Sequence, residues 1–231
     1  MSHASSPMFA LMLSALALGL GTSTSAAAWT VQQADDGTPV YWTSKTLDVS
    51  MEGLQGANRI AVERGFETWN DVENCDLGFA MSQEPENSWT EGTVTFVEDW
   101  DAPSDVLGYT VMRIAEHGEL LSFEVRLDAA HGIGGGSSDY DLQALVTHEA
   151  GHALGLEHSD MDEAAMFPTS TEGAVSRRTL HIDDEEGARF LDDQWRPSLD
   201  LPVQCSSTPG TTASLLLTLL PLCFLRRRGE S

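Results

Sequence analysis

Thr147-His148-Glu149-Ala150-Gly151-His152-Ala153-Leu154-Gly155-Leu156-Glu157-His158 is the stretch on which the reading of the whole chain turns. His148 and His152 stand four residues apart, so on a helix their imidazoles share one face, about one turn from each other, and can share a single ion. Glu149, adjacent to the first histidine, then reaches a water bound to that ion. Gly155, three residues beyond His152, can take the left-handed conformation that ends a helix and turns the chain back. His158 thereby arrives as a third ligand. Three protein ligands with an open fourth position is the arrangement of catalytic rather than structural zinc. The spacing predicts His148, His152 and His158 as zinc ligands and Glu149 as the catalytic base. A bare His-Glu-x-x-His occurs by chance in many helices, whereas Gly155 and His158 at their set distances make the extended pattern specific.

Upstream, Leu142, Leu145 and Val146 carry an apolar face into this segment, and Ser138 followed by Asp141 has the form of a helix start with a capping box. A loop from His131 to Ser138 containing Gly132, Gly134, Gly135 and Gly136 separates that helix from three β-prone stretches, Thr93 to Val97, Tyr109 to Ile114 and Phe123 to Leu127. Nearer the N-terminus, the segment from Val40 to Met51 is β-prone and partly alternating, which predicts an opening strand. Val62, Phe66 and Trp69 at i, i+4 and i+7 then predict a helix over 56–70 with one apolar stripe against a sheet. Downstream, acidic residues open a last helix over Asp183 to Leu191, as the helix dipole prefers. After Pro197 the composition turns to Pro, Ser and Thr, and the folded part ends.

The chain has 231 residues and a net charge of −24, and all but one of its 36 acidic residues lie between two apolar terminal segments. That length favours one domain with short appendages, residues 29–196. The acidity disfavours nucleic acid and anionic membrane surfaces as partners. Met8 to Leu20 is an apolar run followed by Ala26, Ala27 and Ala28, and reads as a signal peptide over 1–28 cleaved to leave Trp29 first, which implies secretion. Residues 197–212 form a Pro/Ser/Thr-rich linker, and 213–231 an apolar tail closed by Arg226, Arg227 and Arg228, a sorting or anchoring pattern. Both apolar runs are short for a span that needs roughly 20 residues. Membrane contact is therefore expected only through the tails, and the domain is expected to be a monomer. Of three cysteines, Cys75 alone falls in the folded part, where it reads as a small buried hydrophobe.

With these residues in view, the sequence resembles the metzincins and, within them, the matrixins. Ala165-Met166-Phe167-Pro168 is similar to the Met-turn, which implies Met166 beneath the zinc site and Phe167 and Pro168 walling a specificity pocket. Leu180-His181-Ile182-Asp183-Asp184-Glu185-Glu186-Gly187 resembles the start of the family's last helix in bacterial members. The fold implied is α+β, metzincin-like: a twisted mixed sheet of about five strands with an active-site helix and two further helices. The function implied is a zinc endopeptidase acting on protein or peptide substrates, an extended peptide lying along the sheet edge near Tyr109 to Ile114. The tail resembles the sorting signals of myxobacterial surface proteins, in which a Cys ahead of the apolar segment is the attachment point; here that is Cys205.

Two departures stand out. Animal matrixins hold a second, structural zinc with histidines on the two strands before the active-site helix, where this chain has Met112 or Arg113 and Arg126; no such site is expected, and His117 and His131 read as loop residues facing solvent. Asp128 matches a family position that binds calcium, although its neighbours do not. Fewer than about 15 residues separate the cleavage site from the first strand, too few for an inhibitory propeptide with its own zinc-binding Cys. Two other readings stay open: a surface binding or adhesion module with a non-catalytic metal site, for which Glu149 would be unnecessary, and an amidase using the same zinc chemistry.

Overall fold

In a computed structural model that describes residues 27–82, 91–130, 133–134, 139–195, 218–219 and 223–227, Leu47 and Val49 are buried between exposed Thr46 and Asp48. This period-two alternation makes strand β1 (Thr46–Ser50). It is shorter than the stretch from Val40 suggests, because the first half of that stretch is bonded elsewhere. The Val40 N–H donates to Gln32 at 3.0 Å, and Trp42 is buried with its indole N–H on the Ala153 carbonyl, also at 3.0 Å. Helix α1 (Gly56–Asn70) buries Val62, Phe66 and Trp69, the predicted stripe. Strand β2 (Gly78–Ser82) follows and was not anticipated; Phe79 alone in it is fully buried, so it carries no alternation to read.

Next come β3 (Gly92–Val97), β4 (Val106–Ile114) and β5 (Leu120–Asp128), then a short ladder of β6 (Ile133–Gly134) with β7 (Tyr140–Asp141). The catalytic-motif helix α2 (Leu142–Leu154), β8 (Thr169–Ser170) and α3 (Ile182–Asp193) complete the domain, and β9 (Thr218–Leu219) and β10 (Cys223–Arg227) lie in the C-terminal tail. The domain's sheet has five strands in the order β2-β1-β3-β5-β4, parallel except for the antiparallel β4·β5 pair. The architecture is the α+β arrangement expected, with three helices and a mixed sheet.

Helices α1 and α2 pack together over one face of the sheet. A Cβ added at Gly65 would stand 2.6 Å from Cγ1 of Val146, so the glycine permits the close crossing of the two helices. Phe66, Phe79 and Phe123 join helix to sheet, with ring centroids 4.8 to 6.2 Å apart. Each such buried side chain contributes roughly 1.5–3 kcal/mol. Cys75 is half-buried at the margin of this core rather than inside it. No helix among the described residues is long and apolar enough to cross a membrane. The expected signal-peptide run, the 197–212 linker with Cys205, and His131 and Ser138 lie outside the described residues.

Candidate active site

Every residue of α2 except Gln143 is buried, so the helix is fixed from all sides and its polar residues have little freedom. It is capped by Asp141, whose carboxylate accepts the Ala144 N–H at 2.8 Å, and not through a box headed by Ser138. Arg178 grips the same carboxylate through two nitrogens, with its Nε at 2.9 Å. At the far end Gly155 adopts φ 116° and closes the helix with N–H bonds to the Gly151 and His152 carbonyls at 3.3 and 3.0 Å. The turn beyond is pinned by the N-terminal segment. Gln32 donates its N–H to Gly155 at 2.8 Å, Glu157 donates to Thr30 at 2.9 Å, and Val31 bridges Leu156.

The turn brings His158 back to His148 and His152. One ligand atom from each of the three lies within 4.8 Å of the other two, the one such cluster among the described residues. Nδ1 of His148 lies 2.7 Å from the Ala165 carbonyl and Nδ1 of His152 lies 2.8 Å from the Leu156 carbonyl. A carbonyl only accepts, so each ring carries its proton on Nδ1 and presents a bare Nε2, the two Nε2 atoms being 3.1 Å apart. Nε2 of His158 is buried and has no hydrogen-bond partner. Two bare imidazole nitrogens, with a third imidazole whose buried Nε2 has no other partner, make a donor set that fits a zinc ion. Burial, then the neighbouring His152 and His158, hold His148 well below the usual imidazole value; burial, then His158, takes His152 down to about 3, and burial takes His158 down to about 4. All three are thereby kept in the neutral form that binds metal.

Glu149 is fully buried beside this cluster. Its Oε2 accepts the Thr110 hydroxyl at 2.8 Å, whereas Oε1 is buried without a partner. Burial pushes the carboxyl up to about 8, opposed by the Thr110 bond. One oxygen is thus anchored to β4 and the other is left to take a proton. Thr110 was not singled out from the sequence.

Met166 is buried against α2 at Gly151, the glycine between the two helical histidines, where an added Cβ would also stand 2.7 Å from Trp69. Asp184 on α3 holds this loop by accepting the Ala165 and Met166 N–H groups at 2.8 and 3.0 Å. Asp183 accepts the Ser159 hydroxyl at 2.6 Å and the Ala28 and Trp29 N–H groups at 3.0 and 3.2 Å. The acidic start of α3, read from sequence as serving the helix dipole, therefore ties together the Met-turn, the residue after His158 and the N-terminal segment. Phe167 and Pro168 are half-buried and lead into β8. The Arg177 guanidinium stands 5.1 Å over the Phe167 ring and donates to the carbonyls of Thr169 and, at 3.0 Å, Asp162. It braces the segment from Asp162 to Thr169 and was not singled out from the sequence.

On the two strands before α2, Arg126 lies opposite Tyr109 rather than Met112 or Arg113. Both bond to Asp101, Tyr109 donating its hydroxyl at 2.7 Å and Arg126 its Nη1 at 2.8 Å. Asp128 is buried and accepts the Ala130 N–H at 2.9 Å, a local turn. His117 is exposed, its Nδ1 3.4 Å from Asp36.

Comparison with known proteins agrees with this geometry. A family profile described as Matrixin matches residues 41–191. Stromelysin-2 of Rattus norvegicus is 31% identical over 164 residues, covering 68% of this chain and 32% of its own length. Matrix metalloproteinase-18 of Xenopus laevis is 24% identical over 151 residues, covering 64% of this chain and 32% of its own. Metalloendoproteinase 2-MMP of Arabidopsis thaliana is 45% identical over 51 residues, covering 22% of this chain and 13% of its own. The chain thus spans no more than about a third of these relatives.

Proposed function

The chain belongs to the matrixin family, and on that premise we propose that it is a zinc-dependent endopeptidase, secreted or held at the cell surface through its C-terminal tail, with Glu149 as general base. The observation that carries this is the convergence of His148, His152 and His158, the first two with bare Nε2 atoms and the third with a buried Nε2 that has no partner, next to Glu149 with its unpartnered Oε1. The three histidines would hold the zinc, whose chemistry when bound is to polarise a carbonyl and make a coordinated water acidic near neutral pH.

The chain's own groups do the rest. Thr110 fixes Oε2 of Glu149, which leaves the unpartnered Oε1 as the oxygen that receives the proton of the attacking water. The same oxygen returns that proton to the amine nitrogen released when the peptide bond breaks. The last strand of the five-strand sheet, β4, has the backbone N–H and C=O groups that an extended peptide would pair with, and Phe167 and Pro168 wall the pocket for one of its side chains.

The test is zinc content together with cleavage of unfolded casein, on the full chain, for the wild type and Glu149→Ala. Both should hold about one zinc per chain, and the variant should cut roughly 10²–10⁴-fold more slowly. Equal, metal-dependent cutting by both would remove Glu149 from the role of base. Zinc binding with no cutting by either, nor by a chain carrying a proline in β10, would favour a binding module.

A further inference from the structure

The edge strand β4 is not bare. The tail strand β10 pairs antiparallel along it, Cys223 opposite Thr110, Phe224 opposite Tyr109 and Leu225 opposite Gly108. On its other side β10 runs parallel to β8, with Arg226 opposite Thr169 and Arg227 opposite Ser170. Farther along, β9 continues the pairing, Thr218 opposite Ile114 and Leu219 opposite Arg113. The tail therefore lies as a strand between the sheet edge and the segment that follows Phe167 and Pro168, and β10 approaches α2 to within 8 Å, Cα to Cα. Cys223 sits across from Thr110, the residue whose hydroxyl holds Glu149.

We propose that the segment Cys223–Arg227 is an intramolecular occupant of the peptide groove, and that the chain with this strand in place is a latent peptidase. This rests on the peptidase reading above. Strand addition is made by backbone groups, and the N–H and C=O groups of β4 that bind the tail are those a substrate needs, so the two exclude each other. A tethered segment competes at an effective concentration in the millimolar range, above that of most free peptides. By sequence, Arg226 and Arg227 make this segment basic in a chain of net charge −24, a complementarity that favours the docked state. A segment engaged as a sorting or anchoring signal cannot also lie in the groove, so capture of the tail elsewhere would open the site.

The experiment compares the full chain, zinc-loaded, with its Phe224→Pro and Leu225→Pro variants. Phe224 and Leu225 both lie opposite β4, and successive strand N–H groups point to opposite sides, so one of these prolines removes a donor toward β4 and the other is its control for the substitution itself. Cleavage of a short quenched peptide is measured first. Binding of a fluorescent peptide of sequence Pro221 to Ser231, with Ser in place of Cys223, is measured second, in the Glu149→Ala background with and without each proline. The expected result is at least about a tenfold gain in kcat/KM for the variant that loses the donor toward β4, reversed by the free peptide through KM and not kcat. The labelled peptide should bind at least about tenfold tighter when the resident strand carries that proline. Activity in the wild type with no gain in the variants, and equal peptide binding in both backgrounds, would overturn the proposal and leave the peptidase reading intact. Tighter peptide binding to the proline variant with no cleavage by any chain would uphold the docking and sink the peptidase reading.

Discussion

Nδ1 of His148 lies 2.7 Å from the carbonyl oxygen of Ala165, the residue just before Met166. That one bond sets the tautomer of the first helical histidine and aims its other nitrogen at the metal cluster. Ala165 is itself held from behind, because its N–H donates to Asp184 on α3. A carboxylate on the last helix thus fixes a loop whose carbonyl fixes a ligand. The histidine cluster draws on α2 for two imidazoles and on the turn after it for the third, while α3 supplies their support.

Asp184→Asn tests this chain of support. The carboxylate accepts three backbone N–H groups, from Ala165, Met166 and His181. An amide has one oxygen, so at least one buried donor would face an NH2 group and be left without a partner. The variant should lose roughly 1–3 kcal/mol in urea unfolding. Its zinc affinity, measured by competition with a chelator, should fall about 10–100-fold as His148 loses its fixed orientation. Unchanged zinc affinity in a destabilised variant would show that the loop does not aim the ligand.

Gly151→Ala probes the packing beneath the same cluster. The added methyl would meet Met166 and Trp69 with no space to receive it. Overpacking should cost about 1–3 kcal/mol, read by thermal unfolding. Pairing it with Met166→Ala should recover part of that loss, because the sulfur is the closer obstacle and the smaller side chain vacates its place. A neutral single variant would mean that Met166 does not rest against the helix at this point.

Helix α2, its end at Gly155 and the meeting of His148, His152 and His158 were legible because helical spacing and a left-handed glycine are local signals, and α1 was legible from Val62, Phe66 and Trp69 for the same reason. What stayed hidden is held by bonds without a spacing rule. Thr110 reaches Glu149 across 39 residues, and Asp184 reaches Met166 across 18. Strand β2 has a single fully buried side chain, and the segment through Thr30 to Gln32 is placed by backbone bonds to the turn after Gly155, which leave no mark on composition. The start of α2 was misread by one cap: Asp141 is the cap itself and not the partner of one.

Tyr109 supplies a pH prediction away from the metal. Burial, then its bond to Asp101, pushes this phenol from 10.0 up to about 12. A group whose folded value lies above its unfolded one contributes stability that is fully present below pH 10.0 and is lost as pH rises through about 12. Tyrosinate ultraviolet absorbance should therefore contain a late-titrating component that Tyr109→Phe removes. Asp101→Asn should bring that midpoint down, because a neutral amide no longer favours the protonated phenol. Absence of a late component, or one that survives Tyr109→Phe, would show that the cluster of Asp101, Tyr109 and Arg126 does not hold in solution.

Thr110→Val separates holding Glu149 from holding zinc. Valine keeps the shape of threonine and the packing of β4 but removes the hydroxyl that Oε2 accepts at 2.8 Å. None of the three histidines bonds to Thr110, so zinc content should be unchanged. Glu149, freed at one oxygen, can rotate away from the orientation that presents Oε1. A hydrogen bond to a charged group is worth about 1.5–3 kcal/mol, so kcat should fall by roughly 10-fold or more with KM little altered. Thr110→Ser, which restores the hydroxyl, should recover most of the rate. If Val and Ser behave alike, the side chain at this position serves the strand and not the base.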